Sequence, residues 1–132
     1  MLLILCVSPD KDSLSDLAST LAEHNDVGLL WAESSKKALE MASGKAIDLV
    51  ITDEKIGETT GLKFASKLLS VNPMINCAAV SCLSPEKFHE VGEGLGLMAQ
   101  LPERPGKEHA EELLKRLRHI KSLVVSVKDS IS

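Results

Sequence analysis

The chain has 132 residues, of which 44% are hydrophobic and 26% charged, and its net charge is -4. This length fits one domain and is too short for two, and the hydrophobic fraction suffices for one shared core. The negative charge and the near absence of aromatic residues argue against direct nucleic-acid binding, which uses basic surfaces and stacking side chains.

The chain opens with an apolar run, Leu2–Val7, which is followed by the polar segment 8–13. The run has no basic leader and no small-residue cleavage site, and it is too short to span a membrane. We therefore predict a buried β-strand here, in a cytoplasmic protein that does not associate with membranes.

Apolar runs then alternate with stretches in which apolar residues recur every three or four positions, the period of a helix. Four further strands are predicted at residues 27–32, 47–52, 75–80 and 97–101. Amphipathic helices are predicted between them, and the last begins near Lys107. Strict alternation of strand and helix predicts an α/β fold, a doubly wound parallel sheet with strand order 2-1-3-4-5 and helices on both faces.

The three cysteines, Cys6, Cys77 and Cys82, show neither the pairing of a disulfide framework nor the spacing of metal ligands. All three lie in or beside apolar runs. We therefore predict small buried side chains in a reducing compartment.

Polar residues follow the predicted strands at the edge where a sheet of this kind collects ligands and chemistry. They are Ser8-Pro9-Asp10, Asp53-Glu54-Lys55, Ser81-Cys82 and 102–105. A carboxylate and a hydroxyl that face each other across adjacent strand ends can take and hold a phosphoryl group. The carboxylate is then the nucleophile, and the hydroxyl donates to the transferred oxygens.

The segment 47–53 resembles the strand of response-regulator receiver domains that ends in the phosphorylated aspartate, here Asp53. The family has a glycine eight residues later, where this chain has Gly61. The segment 79–82 is similar to the family's strand that ends in Thr or Ser, here Ser81. The resemblance covers about residues 2–121. It implies a flavodoxin-like (βα)5 fold, with Asp53 as the phosphoacceptor and Ser81 in contact with the phosphate.

Two departures from the family pattern concern the metal and the phosphate. Receivers hold Mg²⁺ with two acidic residues after the first strand, whereas this chain has Ser8 and Pro9 there. The resemblance therefore implies an impaired Mg²⁺ site, with Asp53 and Asp10 as candidate ligands. Receivers also carry Lys-Pro after the fifth strand.

Arg104-Pro105 match that Lys-Pro pair if one residue is inserted, and Arg104 is then a second phosphate-contacting candidate. An ungapped count from Ser81 instead places Glu103 there, where a carboxylate would repel phosphate. The family's aromatic switch residue has no tyrosine counterpart in this chain.

The resemblance predicts a signal-transduction receiver domain of a two-component phosphorelay, whose partner is a sensor histidine kinase or another signalling protein. Such a module is not an enzyme in the usual sense. One alternative is a phosphorylation-independent pseudo-receiver that serves protein interaction or dimerisation. Another is a flavodoxin-like binder of a small ligand, although the chain lacks aromatic residues to stack a flavin.

Residues 122–132 follow the receiver-like domain of residues 1–121. Val124 and Val127 continue the apolar stripe of the last helix beyond the length that a domain of this size can bury, at about 1.5 Å per residue. We predict a helical extension that helps to form a homodimer or continues toward a partner, and the alternative is a frayed tail.

Overall fold

Five long strands form one sheet, and helices alternate with them along the chain. The computed structural model describes residues 1–92 and 95–131, with side chains described as far as Ser122. The strands are β1 (Leu2–Val7), β2 (Val27–Ala32), β3 (Leu49–Thr52), β4 (Lys55–Ile56), β5 (Thr59–Thr60), β6 (Asn76–Val80) and β7 (Ala99–Leu101). The helices are α1 (Ser15–Ala22), α2 (Ser35–Gly44), α3 (Gly61–Val71), α4 (Pro85–Gly92) and α5 (Lys107–Ile131).

The sheet has the order β2-β1-β3-β6-β7, and every neighbouring pair is parallel. Numbered among the long strands alone, this is the predicted order 2-1-3-4-5, so the fold prediction is confirmed. The chain leaves β1 toward β2 on one side and returns to β3 on the other. The carboxyl ends of β1 and β3 therefore meet at the switch point of the sheet.

Buried side chains line both faces of the sheet, because successive strand side chains point to opposite faces. On β1, Ile4 and Cys6 belong to one buried cluster, and Leu5 and Val7 belong to the other. The helix residues of the first cluster are Leu17 and Leu21 of α1 with Ala110, Leu113, Leu114 and Leu117 of α5. Those of the second are Ala38 of α2 with Phe64, Ala65 and Leu68 of α3.

Strand β3 begins two residues later than predicted. The Leu3 N–H donates to the Asp48 carboxylate across 2.8 Å, where a strand would offer a backbone carbonyl. The ladder between β1 and β3 consequently starts with the pair Ile4 and Leu49. Strand ends of this kind are the least certain part of any assignment from sequence.

The β4–β5 hairpin was not predicted. The chain turns at Gly57, whose φ of 61° lies in the left-handed region. Proline fixes φ near −65°, so the Met-Pro of the receiver pattern would not fit this turn. Ile56 keeps the apolar role of that pattern, since its side chain is 3% exposed within the second cluster.

Two ion pairs tie α5 to the loops at the amino ends of the strands. Arg118 contacts both carboxylate oxygens of Asp26, and Lys121 Nζ lies 2.5 Å from Asp48 Oδ1. These pairs connect α5 to the rest of the fold as far as Lys121. The predicted contact surface at Val124 and Val127 lies outside the described side chains. Within residues 1–92 and 95–131, no helix combines the length and apolarity needed to cross a membrane.

Candidate functional site

Asp53 lies at the switch point of the sheet because of the strand register. Val7 of β1 pairs with Thr52 of β3, so the next residues, Ser8 and Asp53, are neighbours at the carboxyl edge. The Asp53 N–H donates to the Val7 carbonyl across 2.9 Å, which holds the two strand ends together. The aspartate predicted from sequence thus stands where this fold collects its chemistry.

The Asp53 carboxylate accepts three hydrogen bonds from its own chain. Its Oδ2 accepts from Ser8 Oγ at 2.7 Å and from Ser13 Oγ at 2.5 Å, and its Oδ1 accepts from the Glu54 N–H at 2.7 Å. Ser8 is only 1% exposed, so its hydroxyl needs an internal partner. Ser8, which occupies a metal-ligand position of the receiver pattern, therefore donates a hydrogen bond directly to the Asp53 carboxylate.

Both hydroxyls have a second acceptor within reach. Ser8 Oγ and Ser13 Oγ lie 2.7 and 2.9 Å from the backbone oxygen of Asp10. That oxygen also accepts the Ser13 N–H, so it stays bonded when both hydroxyl protons point at Asp53. Each hydroxyl has one proton, and turning it toward Asp10 would release Asp53 Oδ2.

Asp10 faces this cluster with its backbone carbonyl. Its carboxylate accepts the Asp12 N–H at 3.0 Å and caps a short 3-10 turn, Lys11–Leu14. The structure shows no hydrogen bond between the Asp10 side chain and the hydroxyls or carboxylate around Asp53. The candidate metal pair Asp10 and Asp53 is therefore not brought together by a shared contact.

The donor set around Asp53 does not fit a receiver-type Mg²⁺ site. Mg²⁺ prefers octahedral oxygen ligands and is usually held by carboxylates with water. Asp53 supplies one carboxylate, and the adjoining Ser8 and Ser13 hydroxyls bond to it. Among the residues that the structure describes, no three His, Cys, Asp or Glu side chains form a group suited to a metal ion.

Gly61 is required by the close approach of α3 to Asp53. A Cβ at Gly61 would collide with the Asp53 backbone oxygen and touch the Thr52 side chain. The Gly61 N–H donates to the Glu54 carbonyl at 2.8 Å and fixes this approach. The glycine noted from its spacing in sequence thus has a steric reason beside the site.

Ser81 directly follows β6 and is 5% exposed. Its N–H donates to the Leu101 carbonyl at 3.0 Å, and its Oγ accepts the Leu83 N–H at 3.2 Å. The structure shows no hydrogen bond between Ser81 and Asp53. Thr52 pairs with Ala79, so Asp53 is level with Val80, and Ser81 lies one position further along the chain direction of the strands.

Arg104 is exposed and has a φ of 51°, an uncommon backbone conformation for a residue other than glycine. Within the described side chains it forms no ion pair or hydrogen bond with Asp53. Glu103 is also exposed, and the pKa of the Cys82 thiol is raised mainly by its hydrogen bond to Glu54, with a further contribution from the charge of Glu103. The sheet edge near Asp53 thus carries several carboxylates.

A contact between Glu54 and Cys82 was not foreseen from the sequence. Glu54 Oε2 accepts the Cys82 N–H at 2.5 Å, and Oε1 lies 3.1 Å from Cys82 Sγ. The bonds from the Cys82 thiol and N–H lower the pKa of Glu54, while the Glu54 carboxylate raises the pKa of the Cys82 thiol. The sequence signal was the placement of both residues after adjacent strands.

The prediction of three buried cysteines is wrong for Cys82. Cys6 and Cys77 are fully buried inside strands, and burial raises the pKa of each thiol to about 12. Cys82 is exposed, because it lies two residues beyond the end of β6, after the buried Ser81. An apolar run in sequence therefore did not mark where burial stops.

The structure is similar to solved structures of response-regulator receiver domains. It matches a response regulator receiver domain protein from Clostridium thermocellum with a TM-score of 0.79 and 17% identity, over 94% of this chain and 99% of that one. Chemotaxis response regulator CheY4 of Vibrio cholerae matches with a TM-score of 0.76 and 18% identity, over 89% and 98%. The N-terminal domain of an uncharacterized protein from Wolinella succinogenes matches with a TM-score of 0.77 and 24% identity, over 93% and 98%.

No protein-family model and no curated protein matches the sequence. At identities below 25%, the structural likeness establishes the fold, and that fold is the one of receiver domains.

Proposed function

We propose that this chain is a receiver module of two-component signalling, with Asp53 at the phosphoacceptor position and an impaired Mg²⁺ site. The observation that carries the proposal is the placement of Asp53. It stands at the carboxyl end of the central strand β3, beside the buried Ser8 and under the amino end of α3. In this proposal the module is a signalling component and not an enzyme in the usual sense.

In this proposal, Asp53 Oδ2 attacks the phosphorus of a phosphodonor. The new O–P bond forms as the bond between phosphorus and the donor's leaving group breaks. Before the attack, the Ser8 hydroxyl turns its proton to the Asp10 carbonyl, 2.7 Å away, and the Ser13 hydroxyl turns its proton to Ser8 Oγ, 3.2 Å away. Ser81 and Arg104 are the proposed contacts of the transferred oxygens, and each must change its present hydrogen bonding or position to reach them.

The proposed partner is a sensor histidine kinase or another signalling protein in the cytoplasm. The net charge of -4 gives no basic surface for nucleic acid, so DNA or RNA is not part of the proposal. The receiver module comprises residues 1–121. The α5 helix continues beyond it toward a second copy or a following segment.

A second candidate is a pseudo-receiver that acts without phosphorylation, as an interaction or dimerisation module. The hydrogen bonding of Asp53 favours the pseudo-receiver, since both carboxylate oxygens already accept hydrogen bonds from Ser8, Ser13 and Glu54. The Asp53 side chain also has no ion pair with a cation among the described side chains. A carboxylate held in this way is fixed without a metal or a phosphate.

Incubation with acetyl phosphate or phosphoramidate, followed by intact-mass measurement, separates the two candidates. We expect the mass of one phosphoryl group to be added slowly, and with less dependence on Mg²⁺ than an acidic pair would give. Asp53→Asn must abolish the addition, while Asp48→Asn is the matched control at the opposite edge of the sheet. Absence of any addition from both donors, with and without Mg²⁺, would refute the phosphoacceptor and favour the pseudo-receiver.

A further inference from the structure

The segment 81–84 connects β6 to α4 and is fixed by hydrogen bonds more than by burial. Cys82, Leu83 and Ser84 are exposed, so few apolar contacts restrain them. Nevertheless, most of the segment's backbone polar groups have partners. Loops that lack burial normally vary in conformation unless such bonds define them.

One partner comes from the end of β3. The Glu54 carboxylate accepts both the Cys82 N–H and, through its other oxygen, the Cys82 thiol. This two-oxygen contact spans 28 positions of sequence and crosses from the end of β3 to the end of β6. Because the acceptor is charged, it is stronger than a neutral contact of the same geometry.

The other partner comes from β7. Gln100 Nε2 lies 3.0 Å from the Ser81 carbonyl and 2.7 Å from the Leu83 carbonyl. A carboxamide nitrogen has two hydrogens, so Gln100 can donate to both carbonyls at once. It therefore holds the segment from the side opposite to Glu54.

Asp53 is linked to this arrangement through one residue. Its Oδ1 accepts the N–H of Glu54, whose side chain accepts from Cys82. These two bonds connect the Asp53 carboxylate to the Cys82 contact through the backbone and side chain of Glu54. The segment then leads directly into α4, whose first turn is capped where Ser84 Oγ accepts the Lys87 N–H.

We propose that Glu54 and Gln100 form a clamp on the segment 81–84, and that Glu54 transmits a change at the Asp53 carboxylate to helix α4. The clamp is a polar route between the site and α4 in a chain without the tyrosine of the receiver pattern. The proposal rests on the proposed function only in taking Asp53 as the point of input. A transmission route requires evidence of coupling, which a double-mutant comparison supplies.

The clamp itself is tested by amide hydrogen exchange of the full chain in NMR. In Glu54→Ala the Cys82 amide should exchange about fivefold faster or more, since it loses a charge-assisted acceptor. Glu54→Gln keeps one acceptor oxygen and should restore part of the protection. Gln100→Ala should accelerate exchange at Leu83. Glu58→Ala, an exposed carboxylate in the same loop region, is the matched control and should leave both amides unchanged.

The transmission is tested with Asp53→Ala, which removes the acceptor of the Glu54 N–H. This substitution should shift the amide signals of Cys82 and α4 in the otherwise native chain. In the Glu54→Ala background it should leave the α4 signals unmoved. If Glu54→Ala does not fold, as judged by circular dichroism, Asp53→Ala is measured in the Glu54→Gln background instead. It should then shift the α4 amide signals less than it does in the otherwise native chain.

Unchanged Cys82 exchange in Glu54→Ala would overturn the clamp. An α4 response to Asp53→Ala of equal size in both backgrounds would overturn the transmission through Glu54. No phosphodonor is used in these experiments, so either result leaves the phosphoacceptor proposal to its own test.

Discussion

Ser8 Oγ donates to Asp53 Oδ2 across 2.7 Å, and the two residues meet because the preceding Val7 and Thr52 are register partners. The receiver pattern has a carboxylate at the position of Ser8. A hydroxyl there bonds to the aspartate, whereas a second carboxylate would repel it unless a cation lay between them. The identity of residue 8 therefore decides whether Asp53 is satisfied by the protein alone.

Ser8→Asp should make the stability of the fold depend on Mg²⁺. Residue 8 is 1% exposed, so a second buried carboxylate should lower the free energy of unfolding by about 2 kcal/mol or more without metal. Mg²⁺ between the two carboxylates should recover part of that loss. Thermal unfolding with MgCl₂ and with NaCl at equal ionic strength measures this difference.

Ser15→Asp is the control for that substitution, because Ser15 is exposed and its hydroxyl donates to the Asp12 carbonyl and not to Asp53. If the thermal unfolding midpoint of Ser8→Asp does not change with Mg²⁺, an aspartate at position 8 does not restore the metal site.

Gly61→Ala should destabilise the fold by about 1–3 kcal/mol, since the new methyl group meets the Asp53 backbone oxygen and α3 or β3 must shift. Urea denaturation measures the loss. Gly44→Ala is the matched control, because its added Cβ would have no atom within 4 Å. Equal stabilities of Gly61→Ala and Gly44→Ala would contradict the close packing of α3 against the site.

One of the three thiols should react with iodoacetamide in the folded chain. Cys82 is exposed, while burial raises the pKa of Cys6 and Cys77 to about 12. The Glu54 carboxylate raises the pKa of Cys82 and so lowers its thiolate fraction at a given pH. Glu54→Gln should therefore speed alkylation of Cys82.

Peptide mapping after a timed pulse across a pH series measures this alkylation rate, with Glu58→Gln as the control. A rate for Glu54→Gln equal to that of the native chain at every pH would show that Glu54 does not act on the thiol in solution.

Glu54 should contribute to stability at neutral pH and lose that contribution in acid. The bonds from Cys82 lower its folded-state pKa below the ordinary value of 4.5. A lowered folded pKa stabilises the fold above the unfolded value, and the contribution disappears as pH falls through the folded value. The free-energy difference between native chain and Glu54→Gln, from denaturation at stepped pH, should narrow below pH 4.5. A difference that stays constant across this range would contradict the assignment.

A chain ending after Ser122 should keep the folded domain, because it retains Arg118 with Asp26 and Lys121 with Asp48. Its free energy of unfolding in urea should equal that of the full chain, when both are measured at concentrations low enough for any dimer to dissociate. At higher concentration, light scattering should give a larger mass for the full chain than for the shortened chain. The reason is that only the full chain contains the apolar residues Val124 and Val127, which we expect to form the dimer contact. Equal monomeric masses would end the homodimer proposal.

The sequence by itself determined the order of the five strands of the main sheet and the five α-helices, and it located the polar residues that follow these strands. Apolar periodicity is a local property, so strands near 2–7 and 47–52 and their helices could be predicted without tertiary information. The predicted order 2-1-3-4-5 is consistent with parallel pairing and right-handed crossovers, and the structure has this order, with Asp53 at the switch point. The spacing to Gly61 was visible as well, although its steric reason was not.

Only the tertiary structure decided which side chains meet at the edge. Ser8 and Ser13 reach Asp53 over 45 and 40 positions of sequence, and Glu54 reaches Cys82 over 28. Such contacts depend on how each loop leaves its strand, and Asp10 turned its carbonyl inward while its carboxylate capped a turn. A loop's path is set by backbone hydrogen bonds that leave no periodic trace in the sequence, so the residue types at the edge were predictable and their partners were not.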